Sequence, residues 1–382
     1  MLLEYGVKNF FCFYEGVNVS FKLPANCPDN ISMGNDISNI LCLKGKNGSG
    51  KTNLLKGLSF LGEFCTNSFS YKPDEKITLE NFYNNNEDTE FYIEFRVDNI
   101  TYIYELTLNK EHVVKETLFR KERRKSKIIE RDGDRFSLLT SEFSQLKNIK
   151  LRKNASFISI ANQYDFDELE ALTIVYMFFN SIISNVIHIG LSEWSPSIDV
   201  VSEMYFHDPD MLEFAKNIII ACDTGISNIE ILKKKDSNDE ERFIPVFTHT
   251  VKGINKKILF QTESSGTKSL FIQLAKYKCI LDIGGILCLD EFDINLHPHI
   301  LPVLLSLFLD KKTNTNQSQI IFTTHNSEII DFLGRYRTYI VEKTENESFA
   351  YRLDEISGDI LRNDRPILPI YNSGKIGGVP KL

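Results

Sequence analysis

The run Gly45-Lys46-Asn47-Gly48-Ser49-Gly50-Lys51-Thr52 matches the pattern GxxxxGK[ST]. Its flanks constrain the fold further. Ile40-Leu41-Cys42-Leu43 reads as a short buried strand, and from Asn53 onward Leu54, Leu55, Leu58 and Leu61 recur at helical spacing. Glycines let successive backbone N–H groups point inward around a phosphate, and the helix that follows adds its positive N-terminal end. Lys51 is then placed to reach the β- and γ-phosphates, and the Thr52 hydroxyl to ligate Mg2+. A plain glycine turn is the alternative, and the strand and helix on either side argue against it. The segment reads as a nucleotide site in an α/β protein.

Such a loop needs a carboxylate at the end of a neighbouring strand. Ile286-Leu287-Cys288-Leu289-Asp290-Glu291 offers four apolar residues and then two acids. Asp290 is the candidate Mg2+ carboxylate, acting through the metal's water shell, and Glu291 the candidate general base for an attacking water. Ile320-Ile321-Phe322-Thr323-Thr324-His325 is a further apolar run with a polar end. His325 is a γ-phosphate donor or a structural histidine. Glu263-Ser264-Ser265-Gly266-Thr267-Lys268 opens a helical stretch, which by itself is an ordinary N-cap.

Composition excludes some alternatives. With 28 Phe and 15 Tyr the chain has ample core for folding, which excludes disorder as its main state. The 52 acidic side chains exceed the 44 basic ones, giving a net charge of −8, so a uniformly basic nucleic-acid coat is excluded while a local basic patch is not. The seven cysteines form no CxxC pair, and buried reduced thiols are expected. The N-terminus alternates like a strand and lacks the order of a signal peptide. The apolar stretches around 174–189 and 279–289 are interrupted by polar residues or glycine, so no membrane span and a cytoplasmic location are expected.

Along the chain, strands are expected over Leu2–Phe10 and Gly16–Leu23. An antiparallel meander follows over 88–119, with turns at Asp98-Asn99 and Asn109-Lys110. Residues 120–135 are strongly charged, and 140–235 read mostly as helices, including Asp167–Ile183 and Asp210–Ala221. An acidic linker, 236–241, leads to strand-like sequence at Phe243–Thr250 and Lys257–Gln261, a helix over Lys268–Ile280, and buried strands at Gly285–Leu289 and Gln319–Thr323. The expected division is an N-terminal lobe over 1–119, a mostly helical insertion over 120–240, and a C-terminal lobe over 241–382.

Taken in order, Gly45–Thr52, Ser264-Ser265-Gly266-Thr267, Asp290-Glu291 and His325 resemble an ABC-type ATPase head of the structural-maintenance-of-chromosomes and RecF kind. With "LLEYGVKNFFCF", "LDEFDINLHP", "TTHNSEI" and "YNSGKIGGVP", the chain is similar to the RloA/AbiL-type ATP-binding proteins found beside anti-phage genes. The resemblance implies a P-loop NTPase head with a mixed or parallel central sheet, an antiparallel meander and a helical insertion. It implies ATP and Mg2+ as ligands, with Thr52 and Asp290 on the metal and Gly45 to Asn53 around the phosphates. It also implies Lys51, Glu291 and His325 in catalysis. Ser264, Ser265 and Gly266 would act as a signature element on the γ-phosphate of an opposite subunit docked head-to-tail, with Asp293–His297 lining the interface. The function implied is nucleotide-dependent control of a separately encoded effector, a nuclease, in abortive-infection defence, and no fused nuclease domain is expected after His325. The alternatives are a DNA-repair or clamp ATPase acting on DNA, and a plain P-loop kinase, against which the Glu291 and signature pairing argues.

The chain departs from the family pattern twice. Phe11 stands where an arginine usually follows Asn-Phe, and no glutamine is evident for a Q-loop, whose place Asn81–Asn86 takes. Slow hydrolysis is therefore expected. Lys121, Arg123, Arg124, Lys125 and Lys127 form a basic cluster that reads either as a solvated strand extension or as a contact for nucleic acid or an acidic partner. His297-Pro298-His299 lacks a third metal ligand, and Asp282-Ile283-Gly284-Gly285 is a chance DxxG match. Trp194 and Tyr176–Phe179 read as core. Tyr371–Pro380 reads as a docked or partner-contacting segment rather than a frayed tail.

Overall fold

The computed structural model describes residues 1–164, 169–191, 196–222, 225–294, 296–358 and 360–379. Asp167, Trp194, Asn295 and Pro380, each within an expectation above, lie outside the described residues. The chain divides into two compact units. The first comprises Met1–Ser192, Gly284–Phe292 and Gln317–Leu382, and the second Glu193–Ile283 and Asp293–Asn316.

Two sheets build the first unit. Seven antiparallel strands run in the order β2-β1-β4-β5-β6-β7-β8: β1 (Leu2–Lys8), β2 (Val17–Ser20), β4 (Thr89–Val97), β5 (Ile100–Leu108), β6 (Val113–Lys121), β7 (Lys125–Asp132) and β8 (Arg135–Leu139). Alternation directs Phe91, Ile93 and Phe95 of β4 and Tyr102 and Tyr104 of β5 into the core. The second sheet has the order β18-β17-β3-β16-β15-β9: β18 (Glu347–Arg352), β17 (Thr338–Thr344), β3 (Ile40–Lys44), β16 (Gln319–Thr323), β15 (Ile286–Leu289) and β9 (Ile182–Ser184). All neighbours in it are parallel except β17 and β18. β3, β15 and β16 are buried throughout, which is why they read as unbroken apolar runs and not as alternation.

Helix α2 (Lys51–Asn67) belongs to the core shared by both sheets. Tyr5 Oη of β1 donates to Leu54 O at 3.2 Å. Cys288 Sγ of β15 lies 3.8 Å from Leu55 O, and burial pushes that thiol up to about 12. Phe60 stacks on Phe91 with ring centroids 4.8 Å apart. A single turn α1 (Asp29–Ser32), helices α3 (Phe157–Ala161) and α4 (Glu170–Asn180), and a small hairpin of β10 (Val186–Ile187) and β11 (Gly190–Leu191) also belong to the first unit. Beyond β16 come α9 (Ile329–Leu333) and α10 (Leu368–Asn372). The C-terminal segment is docked. Tyr351 Oη donates to Ile376 O at 3.0 Å, Gly378 N to Glu342 Oε1 at 3.0 Å, and Tyr371 Oη to Gly378 O at 3.1 Å.

The second unit holds a three-stranded antiparallel sheet of β12 (Ile226–Lys235), β13 (Glu241–Val251) and β14 (Ile254–Leu259). Helices α5 (Ile198–His207), α6 (Pro209–Ala221), α7 (Ser265–Ile283) and α8 (Ile300–Leu309) accompany it. Phe271 of α7 is its aromatic centre, with the rings of Tyr205, Phe247 and Phe260 at 4.8, 5.4 and 5.8 Å.

Several expectations need correction. The stretch over 120–240 is not mostly helical: β7, β8 and β12 lie in it, the expected boundary at 119/120 falls inside β6, and that at 240/241 falls at the start of β13. The charges in β7 hid a strand whose second half is buried. Ile128 and Ile129 are buried, while Lys125 pairs with Glu105 at 3.3 Å and Lys127 with Glu130. The basic cluster is therefore a strand extension, with Arg123 and Arg124 in the exposed β6–β7 turn. The acidic "linker" 236–241 is a hairpin turn, in which Asp236 Oδ1 accepts from the backbone of Asn238 and Glu240. The helix expected to run to Ile183 stops at Asn180, because Ile182 and Ile183 pair with β15. An apolar run of that length does not reveal its own period.

Glu116 and Arg131 are fully buried in the meander, paired at 3.2 Å. Glu116 also accepts from Tyr104 Oη at 2.7 Å and from Ser156 Oγ at 2.5 Å. Glu116→Ala strands the guanidinium in the core and is expected to cost about 3–5 kcal/mol, read as a lowered urea midpoint. A midpoint equal to wild type would contradict this.

Candidate nucleotide site

The phosphate loop joins β3 to α2 in a conformation that its glycines permit. Gly45 has φ +156, and a Cβ there would lie 2.3 Å from Val341 O. Gly50 has φ +109, and a Cβ would meet Cys12 Sγ at 2.8 Å and Ser348 Oγ at 3.0 Å. Among the described residues, the N–H groups of Asn47, Gly48 and Gly50 have no acceptor, and Ser49 Oγ is buried without a hydrogen-bond partner. Lys51 Nζ folds back over the loop, donating to Gly45 O at 2.9 Å and Lys46 O at 3.1 Å. Burial holds the Lys51 ammonium below its usual range, opposed by the Asp290 carboxylate. Open main-chain donors, an orphan hydroxyl and a desolvated lysine form a cradle that fits a polyphosphate.

The parallel sheet carries the other parts to the same edge. Thr52 Oγ1 donates to Asp290 Oδ2 at 2.8 Å, and Thr323 Oγ1, at the end of β16, donates to Asp290 Oδ1 at 2.5 Å. The same Thr323 oxygen accepts from Glu291 N at 2.8 Å. Glu291 has φ +50, a left-handed turn that a non-glycine residue adopts under local constraint. His325 Nε2 stands 3.8 Å from Glu291 Oε1, and both side chains are about half exposed. Hydroxyl and carboxylate oxygens are the hard ligands that Mg2+ takes, with water and phosphate oxygens completing its shell, so the donor set fits that ion.

Residues passed over in the sequence complete the arrangement. Asn185, just after β9, donates from Nδ2 to Asp290 O at 3.0 Å and accepts on Oδ1 from Asp290 N at 2.7 Å. Lys44, 2% exposed, donates to Thr324 O at 2.9 Å and Asn326 O at 3.0 Å, bracketing His325. A lysine closing a buried strand is a signal the sequence offered. Nothing marked Asn185, because its partner is distant in the chain.

Within the first unit the structure brings together Gly45 to Asn53, Asp290, Glu291 and His325. Asn53 Nδ2 donates to Cys12 Sγ at 3.1 Å. Ser264, Ser265 and Gly266 begin α7 of the second unit, where Ser264 Oγ accepts from Thr267 N at 3.1 Å as an N-cap. Leu296 N donates to Asp293 O at 3.1 Å, and Ile300 N, at the start of α8, donates to His297 O at 2.9 Å. Among the described residues no group of three or more His, Cys, Asp or Glu side chains is placed to hold a metal ion. Asn81–Asn86, which stands in the place of a glutamine loop, is held by the buried Asn9 side chain, which accepts from Phe82 N and Asn85 Nδ2. The strand beside β15 is β9, so Asn185 occupies the flank of Asp290.

The chain matches the family model described as "AAA domain, putative AbiEii toxin, Type IV TA system" over residues 40–331, from β3 into α9. The chain belongs to that family. Its fold is that of a P-loop NTPase domain, with a mixed central sheet and an antiparallel meander. No curated protein matches it. Among solved structures it is similar to the SMC head domain from Thermotoga maritima, at 15% identity and a TM-score of 0.46, covering 92% of this chain and 98% of that one. It is also similar to the SmcHead bound to the C-winged helix domain of ScpA, at 13% identity and 0.45, covering 92% and 96%. A third is the Smc head domain with an extended coiled coil bound to the C-terminal domain of ScpA derived from Pyrococcus furiosus, at 12% and 0.45, covering 93% and 97%. No helix among the described residues is long and apolar enough to cross a membrane.

Asn185→Ala removes both hydrogen bonds that clasp the Asp290 main chain. It is expected to lower stability by about 1–3 kcal/mol in urea unfolding, since it leaves buried main-chain groups unpaired. An unchanged midpoint would show that the clasp contributes nothing.

Proposed function

We propose that this chain is an ATPase that binds ATP with Mg2+ in the loop 45–52 and docks head-to-tail on a second copy. It serves as the nucleotide-dependent regulator of a separately encoded effector, a nuclease, in a prokaryotic anti-phage system. The observation that carries the ATPase part is the hydrogen-bonded chain Thr52–Asp290–Thr323–Glu291 beside a phosphate cradle with open donors. The family description and the motif resemblance support the defence setting.

In this reading Lys51 leaves the carbonyls of Gly45 and Lys46 and takes the β- and γ-phosphates, a short swing of a side chain already desolvated at the loop. Thr52 and Asp290 would hold Mg2+, which when bound would neutralise phosphate charge. The Thr323 hydroxyl fixes Asp290 and the Glu291 main chain together, so the Glu291 carboxylate points from a set position. Glu291 accepts a proton from the attacking water, and His325 donates to the γ-phosphate. Ser264, Ser265 and Gly266 of one copy reach the γ-phosphate bound by the other, so ATP stabilises the docked pair through contacts the separated copies lack.

Glu291→Gln is expected to slow hydrolysis about 10²–10⁴-fold while ATP stays bound. Light scattering with ATP and Mg2+ should then show a larger fraction of dimer than wild type. Lys51→Ala should bind no ATP and stay monomeric. If Glu291→Gln hydrolyses at the wild-type rate, the catalytic assignment fails. If Ser264→Arg leaves ATP-dependent association and hydrolysis intact, the head-to-tail arrangement fails.

A further inference from the structure

Lys56 has no role in the site as assembled so far. It follows Thr52 by four residues on α2, so the two side chains share one face of the helix. Helical Cα–Cβ bonds tilt toward the N-terminus, which leans the Lys56 stem back toward the phosphate loop. Its ammonium lies 4.2 Å from the centroid of the Phe11 ring, the residue standing where an arginine was expected. Phe11 is held there firmly: its φ is +49, its N–H donates to Glu80 O at 2.8 Å, and its ring meets those of Phe10 at 4.8 Å and His188 at 5.8 Å.

Lys56 is nevertheless without an anion. Among the described residues it makes no hydrogen bond or ion pair, although it is half-buried and desolvation holds its ammonium below the usual range. The acids within influence are Asp290 and Glu80. Asp290 already accepts from Thr52 and Thr323, and Glu80 is paired with Lys110 at 3.0 Å. A half-desolvated cation beside a phosphate cradle, with its neighbouring carboxylates engaged, is a site for an incoming anion.

We infer that Lys56, seated on Phe11, binds the terminal phosphate of a nucleoside triphosphate and so distinguishes triphosphate from diphosphate in this chain. The inference rests on the loop 45–52 being a nucleotide site. Lys56 thereby supplies a positive charge at a position where Phe11 cannot.

The test is calorimetric titration of the full chain with ATP and with ADP, each with Mg2+. Lys56→Met should weaken ATP about tenfold, a difference of about 1.4 kcal/mol, and leave ADP within about twofold. Lys56→Arg should retain the preference for ATP. Lys56→Gln provides the same comparison if Lys56→Met does not fold, as judged by its circular dichroism melt. Equal weakening of ATP and ADP, or no change in either, would overturn the inference while leaving the nucleotide site in place. A wild-type chain that bound neither nucleotide would overturn the site reading, and this inference with it.

Discussion

The Asp290 carboxylate is the fixed point of the first unit. It lies at the carboxyl end of β15, nearly buried, and is held by hydroxyls from two other elements. A buried carboxylate is tolerated only when its oxygens are satisfied, and here each oxygen receives one of those hydroxyls. Those two bonds tie the start of α2 and the end of β16 to β15, while Asn185 ties β9 to the same residue through its main chain. The phosphate loop, the candidate general base and the edge strand therefore share one anchor.

That anchor depends on strand direction. β3, β16, β15 and β9 run parallel, so their carboxyl ends open on one side, and loops from four distant parts of the chain meet there. The antiparallel sheet gives this arrangement a stable backing through Tyr5 on Leu54 and Phe91 on Phe60. Lys44 is a second buried polar anchor. It holds the backbone on both sides of His325 and lies 5.7 Å from the ring of Tyr371, so the docked C-terminal segment adjoins the lysine that positions that histidine.

Much of the site was legible because its chemistry is local. The spacing of Gly45, Gly50, Lys51 and Thr52 is dictated by how a short loop wraps a phosphate, and Asp290-Glu291 declares itself by following a buried apolar run. Short buried strands such as β16 were equally plain. The meander's extension was legible only as one of two readings, because the charge run alone did not show that Lys125 pairs with Glu105 of β5 and Lys127 with Glu130 of its own strand. The hairpin at 236–241 was likewise hidden, because acidic residues that close a tight turn have the same composition as those that solvate a linker. Ile182 and Ile183 extended a helical reading because a short apolar run shows no period of its own.

By itself, then, the sequence determined the phosphate loop, its carboxylate partner and the α/β class, since each rests on contacts between near neighbours or on residue types with few other uses. Tertiary structure alone decided that Asn185 clasps Asp290, that Thr323 links Asp290 to Glu291, and that Lys56 rests on Phe11. These pairings join residues far apart in the chain. Polar side chains such as Asn and Thr have many local uses, so only the folded sheet selects the one partner that burial and hydrogen-bond geometry allow.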